Sequence, residues 1–341
     1  SPPRLEPSPR LWAPALLAAP LPADPMAVTV HRLSNGMTVY LSPNKLEPRV
    51  TGYVAVRAGS RHDATDSTGM AHYLEHMLFK GSQRLGTLDY AREKPHLDRI
   101  SALYETLFTE SDPGRRKRIY AEIDAENQLA AAHAVPNELD RLYSTLGFDK
   151  LNAHTHTEET VYKVDFPANR ADTWAKTEAD RFAQPVFRLF QSEIEAVFEE
   201  FNIGADRAGN ALYEKIGSLL FAGHPYERDT IGLREHLKNP SLAKMRAFYD
   251  AWYRPENMSV ILSGDFERGA MLDTLERNLG ALGARTPQTP SLPAAVLPPL
   301  RGVSRGELVF SAEEVLVAAW RTPAAKHADA DAMLLLSVLL K

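Results

Sequence analysis

Hydrophobic and polar residues alternate along several stretches of the chain in the manner of β-strands. Residues 28–42 form two such runs around a Ser-Asn-Gly turn at 34–36, which predicts a β-hairpin. Residues 50–58 predict a third strand, and the apolar run 257–265 predicts a buried one. Elsewhere apolar residues recur every three or four positions, which is typical of helices. We assign helices to residues 69–80, 98–108, 115–132, 137–147, 168–182, 187–202, 210–221, 232–237, 241–253, 267–279 and 328–340.

Two further segments, residues 151–166 and 307–320, alternate as strands do. Strands and helices are therefore interspersed, without a regular strand–helix–strand repeat. This order predicts an α+β fold, in which a mixed or antiparallel sheet packs against helices.

The same patterns divide the chain into four parts. Residues 1–27 predict an extended N-terminal arm, and residues 284–305, which contain five prolines, predict a linker. The main domain covers residues 28–283, and residues 306–341 begin a second domain. Residues 88–134 of the main domain are charged and helical, and they predict an inserted hairpin. One interpretation is a solvent-exposed hairpin without a catalytic or binding role. The alternative is a flap that shapes the entrance of a cleft.

Composition narrows the range of functions. A length of 341 residues suits about two domains of ~150 residues each. The net charge of −5 gives no reason to expect nucleic acid or an anionic membrane as a partner, and no apolar run approaches the ~20 residues of a membrane span. The chain has no cysteine, which excludes disulfides and thiolate zinc ligands. The short apolar stretch 11–22 is either part of the extended arm or the remnant of an export signal.

Candidate chemistry lies in the predicted helix 69–80, GMAHYLEHMLFK. His72 and His76 are four residues apart, so a helix places both imidazoles on one face, where they can share one Zn²⁺ ion. Glu75 reaches the edge of the same site without being a ligand. A catalytic zinc site needs such a base and an open position for water, and here it also needs a third ligand from elsewhere in the chain.

The H-x-x-E-H pattern and its flanks, AGSRHDATDSTGMAHYLEHMLFKGS at residues 58–82, resemble the zinc-helix segment of the M16 (pitrilysin/insulinase) metallopeptidases. Downstream, LFQSEIEAVFEEFN resembles the E-x6-E segment of that family. The resemblance implies that Glu200 is the third zinc ligand. It also implies that Glu193, on the same helix face two turns earlier, is a supporting active-site residue that orients Glu200 or a histidine.

A third resemblance concerns substrate. Asn152-Ala153-His154-Thr155 is similar to the N-A-x-T edge strand beside which a substrate peptide adds in M16 enzymes. Asn152, Ala153 and Thr155 are therefore candidate substrate-binding residues, and the alternative is a plain structural strand. His154 and His156 form a rival metal pair, but no acidic residue has a matching spacing.

The tail of the chain resembles its own zinc segment. Alignment of Arg321 with Arg57 gives an offset of 264 and sets leucines opposite the three motif residues, at positions 336, 339 and 340. Residues 306–341 would then begin a second, metal-less M16-like domain, and the chain would be the N-terminal portion of a longer protein. Family resemblance implies that a second M16-like half, in the same chain or in another subunit, closes over the peptide.

These features predict a zinc-dependent endopeptidase that acts on peptides or unfolded polypeptides. Zinc would polarise a water molecule, and Glu75 would act as the general base. The alternative is a non-catalytic scaffold or partner subunit of an M16-type complex, and simple metal binding would leave Glu75 without a role. The N-terminal stretch and the resemblance to bacterial relatives favour a periplasmic or secreted protein, with the cytoplasm as the alternative.

Overall fold

The computed structural model of the protein describes residues 26–283, 297, 299–300 and 302–340. Nearly all of the predicted N-terminal arm (1–27) and most of the proline-rich linker (284–305) lie outside the described residues. The regular elements are β1 (Thr29–Arg32), β2 (Thr38–Pro43), β3 (Arg49–Val56), α1 (Met70–Met77), α2 (Tyr90–Thr109), α3 (Pro113–Ala131), α4 (Glu138–Thr145), β4 (Asp149–Thr155), β5 (Thr160–Pro167), α5 (Ala171–Ala183), α6 (Phe190–Ala205), α7 (Ala208–Leu220), α8 (Arg234–Leu237), α9 (Leu242–Trp252), β6 (Met258–Gly264), α10 (Arg268–Asn278) and α11 (Ala330–Leu339).

Six strands form one open mixed sheet in the order β1-β2-β6-β3-β5-β4. The β2–β6 pair is parallel and the other pairs are antiparallel, which confirms the predicted α+β class. Alternate residues of the central strands are buried, and this face packs against helices, as the stacked rings of Phe166 (β5) and Trp174 (α5) illustrate at 4.9 Å. The predicted hairpin at 28–42 is confirmed as β1 and β2.

The strand-like segment 151–166 consists of two antiparallel strands, β4 and β5, separated by a turn at 156–159. Alternation alone could not show this break, because it continues with the same period on both sides of the turn. Within the described residues, β4 pairs only with β5, so it lies at the edge of the sheet. The strand that carries the predicted substrate-binding residues is therefore an edge strand.

Helix α1 is fixed at its N-terminus by two features. Gly69, which precedes the helix, has a φ of +82°, and a Cβ at this position would lie 2.4 Å from the carbonyl oxygen of Ile231. The Asp63 carboxylate accepts hydrogen bonds from the backbone N–H groups of Gly69 (2.8 Å) and Ala71 (2.9 Å). Burial raises the pKa of Asp63 to about 7, although these hydrogen bonds act in the opposite direction. The start of the helix is thus set by the left-handed backbone of Gly69 and by the buried Asp63 carboxylate, which accepts hydrogen bonds from the first turn.

The charged hairpin formed by α2 and α3 is part of the core and is not a solvated appendage. Ile100, Leu103, Tyr104 and Leu107 of α2 are buried, and the Tyr104 ring packs edge-on against Phe190 at the start of α6. The high charge of the sequence reflects the exposed faces of the two helices, because an amphipathic helix keeps its apolar stripe inward.

The C-terminal part differs in two respects from the prediction. Residues 307–320 form no strand, and nearly all of them are exposed. A strand needs a neighbouring edge for its hydrogen bonds, and no described strand pairs with this segment. The predicted helix at 328–340 is confirmed as α11, whose leucines are exposed. Helices α1 and α11 start at residues 70 and 330, an offset of 260 rather than 264.

Within the described ranges, no helix is both long enough and apolar enough to cross a membrane.

We predict that Gly69→Ala lowers the free energy of unfolding by at least ~1–2 kcal/mol, because a left-handed φ is costly for alanine and the new methyl group meets a backbone oxygen. The matched control is Gly209→Ala in α7, where an added Cβ meets nothing within 4 Å. This control should leave stability unchanged or raise it slightly, because alanine favours helices. Urea denaturation of both variants tests the prediction, and equal effects at the two positions would contradict it.

Candidate metal centre

Two elements far apart in sequence, α1 and α6, supply the side chains of a candidate metal centre. Helix α1 presents His72 and His76 one turn apart, with ring centroids 4.8 Å from each other. Helix α6 brings Glu200 to the same place, where its Oε2 atom lies 3.5 Å from Nε2 of His72 and 3.7 Å from Nε2 of His76. Among the described residues, these three form a group whose ligand atoms all lie within 4.8 Å of one another.

The donor set fits zinc. Two imidazole nitrogens and one carboxylate oxygen are typical ligands of a catalytic zinc ion, which leaves a fourth position for water. Ligand atoms that each lie ~2.1 Å from a tetrahedral zinc ion are ~3.4 Å apart, and the separations of 3.5 and 3.7 Å to Glu200 are close to this value. The ligand atoms of the whole group lie within 4.8 Å of one another, so the two imidazoles have to move closer together to hold a metal ion.

Glu193 orients His76. Its Oε1 atom lies 2.9 Å from Nδ1 of His76, and its Oε2 atom forms an ion pair with Lys80. An ionised carboxylate can only accept hydrogen bonds, so Nδ1 of His76 carries a proton, and in the neutral imidazole the Nε2 lone pair is left to face Glu200. Burial would raise the pKa of Glu193, but its hydrogen bonds with His76 and Lys80 lower it overall. Of the two alternatives from the sequence, Glu193 therefore contacts a histidine and not Glu200.

The two histidines have different environments. Burial, with a contribution from the neighbouring His76, lowers the pKa of His72 to about 4, so its imidazole is neutral at physiological pH. Its buried Nδ1 atom has no hydrogen-bond partner in the part of the chain that the structure describes. For His76, burial opposes protonation, but the hydrogen bond to Glu193 and the nearby carboxylates raise the pKa overall. A neutral imidazole is the form that binds a metal ion.

Glu75 is buried and held from one side. Its Oε2 atom accepts a hydrogen bond of 2.5 Å from the Thr155 hydroxyl on β4. Burial raises the pKa of Glu75, and the hydrogen bond from Thr155 acts in the opposite direction. A carboxylate with an elevated pKa beside a metal-ligand set is suited to accept and release a proton.

A cleft of about 470 Å³ opens over these groups between α1, α6 and the edge strand β4. All eight residues that the sequence predicted line it, namely His72, Glu75, His76, Asn152, Ala153, Thr155, Glu193 and Glu200. Thr155 turns its hydroxyl towards Glu75, so its side chain positions this carboxylate, whatever its backbone does with substrate.

Sequence reasoning assigned no role to two other side chains of the cleft, Phe79 and Lys80. Lys80 lies in the loop after α1, which ends at Met77, so helical periodicity could not place it beside Glu193. The rival pair, His154 and His156, is not part of the metal group, although His154 lines the same cleft. The nearest carboxylate oxygen to His154 Nε2 is that of Glu159 at 3.9 Å.

Comparisons with known proteins concern the family and the fold of the chain. The family model for insulinase (peptidase family M16) matches residues 38–97, and the model described as the peptidase M16 inactive domain matches residues 240–341. The chain is 29% identical over 262 residues to the "Probable zinc protease PqqL" of Haemophilus influenzae, with 76% of this chain and 24% of that protein covered.

Two solved structures have a similar fold. The first half of the periplasmic protease PqqL from Escherichia coli has a TM-score of 0.59 at 21% identity, with 82% of this chain and 50% of that one covered. A protease from Helicobacter pylori has a TM-score of 0.60 at 19% identity, with 79% and 53% covered. The chain spans about a quarter of the length of the PqqL relatives it matches (24%).

We predict that the protein, purified without added metal, contains close to one zinc ion per chain. His76→Ala and Glu200→Ala should each lose most of it, because two ligands hold zinc far more weakly than three. His154→Ala, a histidine of the same cleft outside the metal group, is the matched control and should keep the metal. Elemental analysis provides the measurement. Full zinc in Glu200→Ala would move the third ligand elsewhere, with Glu193 next in line.

Proposed function

This chain belongs to the M16 (insulinase) family of zinc metallopeptidases, and from that membership we propose that it carries the catalytic metal site of a zinc-dependent endopeptidase. One observation carries the proposal. The ligand atoms of His72, His76 and Glu200 converge in a cleft that also holds a buried carboxylate, Glu75, and is bordered by the edge strand β4.

Residues of the cleft have separate roles in the proposed hydrolysis of a peptide bond. Zinc held by His72, His76 and Glu200 would supply a Lewis acid that polarises a water molecule and the scissile carbonyl. Glu75 accepts the proton of the attacking water and passes it to the leaving amine. The Thr155 hydroxyl engages Oε2 of Glu75, so Oε1 is the atom that carries the proton. Glu193 takes part as a positioning residue, because its carboxylate oxygens contact His76 and Lys80.

The edge strand supports a peptide or an unfolded polypeptide as the substrate. β4 has a described partner on one side only, and its residues 152 to 155 line the cleft. A peptide that adds beside Asn152, Ala153 and Thr155 would be bound by main-chain hydrogen bonds, which do not depend on its sequence. The strand would also set the peptide at a constant depth over the metal ligands.

We propose that a second M16-like half completes the site. The PqqL relatives are about three times as long as this chain, because 76–79% of this chain covers 24% of each of them, and residues 240–341 match a domain model described as inactive. Residues 306–341, with α11, would begin the second, metal-less domain, and the residues beyond or another subunit would supply the opposing half. Because the PqqL protease of Escherichia coli is described as periplasmic, we also propose a periplasmic location.

A non-catalytic scaffold is the competing function. A scaffold requires neither Glu75 nor a complete ligand set, and both are present in one cleft. Zinc content and peptide hydrolysis together distinguish the two functions.

We predict that Glu75→Gln keeps the zinc but lowers the rate of peptide hydrolysis by the intact protein by at least ~10²–10⁴-fold, because glutamine cannot accept the proton of water. Glu195→Gln, on the same helix as Glu200 but outside the cleft lining, is the control and should keep full activity. Kinetics with a quenched fluorescent peptide and zinc analysis of each variant test this. Turnover at the wild-type rate in Glu75→Gln would remove this residue from the mechanism.

We predict that the 341-residue chain alone binds zinc but cleaves peptides at least ~10²–10³-fold more slowly than the protein with its second half, because donors for the developing oxyanion would come from that half. The assay compares the zinc-loaded chain with and without the second half added in trans. Full activity of the monomeric chain alone would contradict a two-half mechanism.

A further inference from the structure

Arg188 is a buried side chain that no proposed step of catalysis uses. It lies just before α6, the helix that carries Glu193 and Glu200, and its side chain is 1% exposed. Its ion-pair partner, Glu93 of α2, is 0% exposed. A fully buried ion pair is costly, and replacement by apolar residues of similar volume is often neutral or stabilising. A contribution to overall stability therefore does not explain this pair.

The hydrogen bonds of Arg188 use all five of its N–H donors. Nε donates to Oε1 of Glu93 at 2.9 Å, and Nη2 donates to Oε2 at 3.2 Å. The remaining donors reach backbone carbonyls. Nη1 contacts those of Lys80 (2.6 Å) and Leu85 (2.9 Å), and Nη2 contacts that of Ser82 (2.7 Å). No other side chain has enough donors for this arrangement.

The three carbonyls belong to one loop, residues 80–86, which directly follows the zinc helix α1. Two glycines make room for the guanidinium group. A Cβ on Gly86 would lie 2.6 Å from Nη1 of Arg188, and one on Gly81 would lie 3.1 Å from it. Both glycines have a positive φ. The loop is thus wrapped around Arg188.

Arg188 therefore joins the two elements that must meet at the metal. On one side, its carbonyl partners begin four residues after His76. On the other side, Arg188 precedes Glu193 by five residues and Glu200 by twelve. The backbone reinforces the connection, because the Val186 N–H group donates to the Gly81 carbonyl at 3.2 Å. A shift of the guanidinium group would move the histidines relative to Glu200.

We propose that Arg188, held by Glu93, is a positioning residue that sets the separation between the two histidine ligands and Glu200. This inference rests on the proposed zinc site. It assigns to α2, through Glu93, a role in shaping that site. Outer partners of metal ligands typically contribute 10–100-fold to metal affinity, and Arg188 acts one step further out, through the backbone of both ligand-bearing elements.

Two variants and one control test the proposal in the intact protein. Arg188→Lys keeps the charge but has three donors in place of five. Glu93→Met/Arg188→Met replaces the pair by apolar side chains, which removes the buried charges and keeps most of the volume. Arg254→Lys is the matched control, because Arg254 is also buried (3%) and ion-paired, to Glu256, but belongs to the segment between α9 and β6, which is adjacent in sequence to neither ligand-bearing helix.

Zinc affinity is measured by competition with a chromophoric chelator, and ligand geometry by the visible absorption spectrum of the Co²⁺-substituted protein. We expect both Arg188 variants to bind zinc ~10-fold or more weakly and to show an altered cobalt spectrum. Arg254→Lys should leave affinity and spectrum unchanged, even if its melting temperature falls.

Wild-type affinity and spectrum in both Arg188 variants would overturn the inference while leaving the proposed function intact. The inference would also be overturned if zinc affinity fell only in proportion to the melting temperature and if Arg254→Lys showed the same loss of affinity. If the double variant does not fold, Arg188→Lys decides between these outcomes. Absence of zinc and cobalt binding in the wild-type protein would instead overturn the proposed function, and this inference with it.

Discussion

Three carboxylates and two imidazoles share a small, partly buried space between α1 and α6, and the rest of the site depends on how their charges are balanced. Carboxylates in such proximity repel one another and favour protonation. Glu193 is balanced by Lys80 and by the Nδ1 proton of His76. Glu75 is balanced by the Thr155 hydroxyl. Among the described residues, Glu200 faces the Nε2 atoms of two histidines, and a divalent cation bound there would supply a positive charge beside it.

The position of α1 follows from groups at both of its ends. Asp63 accepts hydrogen bonds from the first N–H groups, and Arg188 donates to carbonyls of the loop that follows the last turn. This arrangement sets a carboxylate at the positive end of the helix and a cation near its negative end. Each of these groups comes from a segment outside the helix. Eight residues of helix, too short to be stable alone, are thereby fixed against a sheet and a second helix.

The hairpin of α2 and α3 has a larger part in this arrangement than its charged sequence suggests. Its inner face supplies apolar contacts to α6 through Tyr104, and Glu93 supplies the carboxylate that orients Arg188. The hairpin thus contacts the segment that brings Glu200 to the metal centre, while its outer face remains solvated. The α2–α3 hairpin, which the sequence predicts to be an insertion, therefore supports the metal centre without contributing a side chain to it.

The sequence by itself determined what depends on local geometry. Helical periodicity sets His72, Glu75 and His76 on one face, and the spacing of seven sets Glu193 and Glu200 on another, so their grouping could be predicted from neighbours within two turns. Tertiary structure alone decided which groups meet across long separations. The bond of Thr155 to Glu75 spans 80 residues, and that of Arg188 to Glu93 spans 95. Such contacts depend on how whole elements pack, and a local pattern carries no information about this. For the same reason, alternation at 307–320 predicted a strand, but a strand requires a partner edge that only the fold can supply.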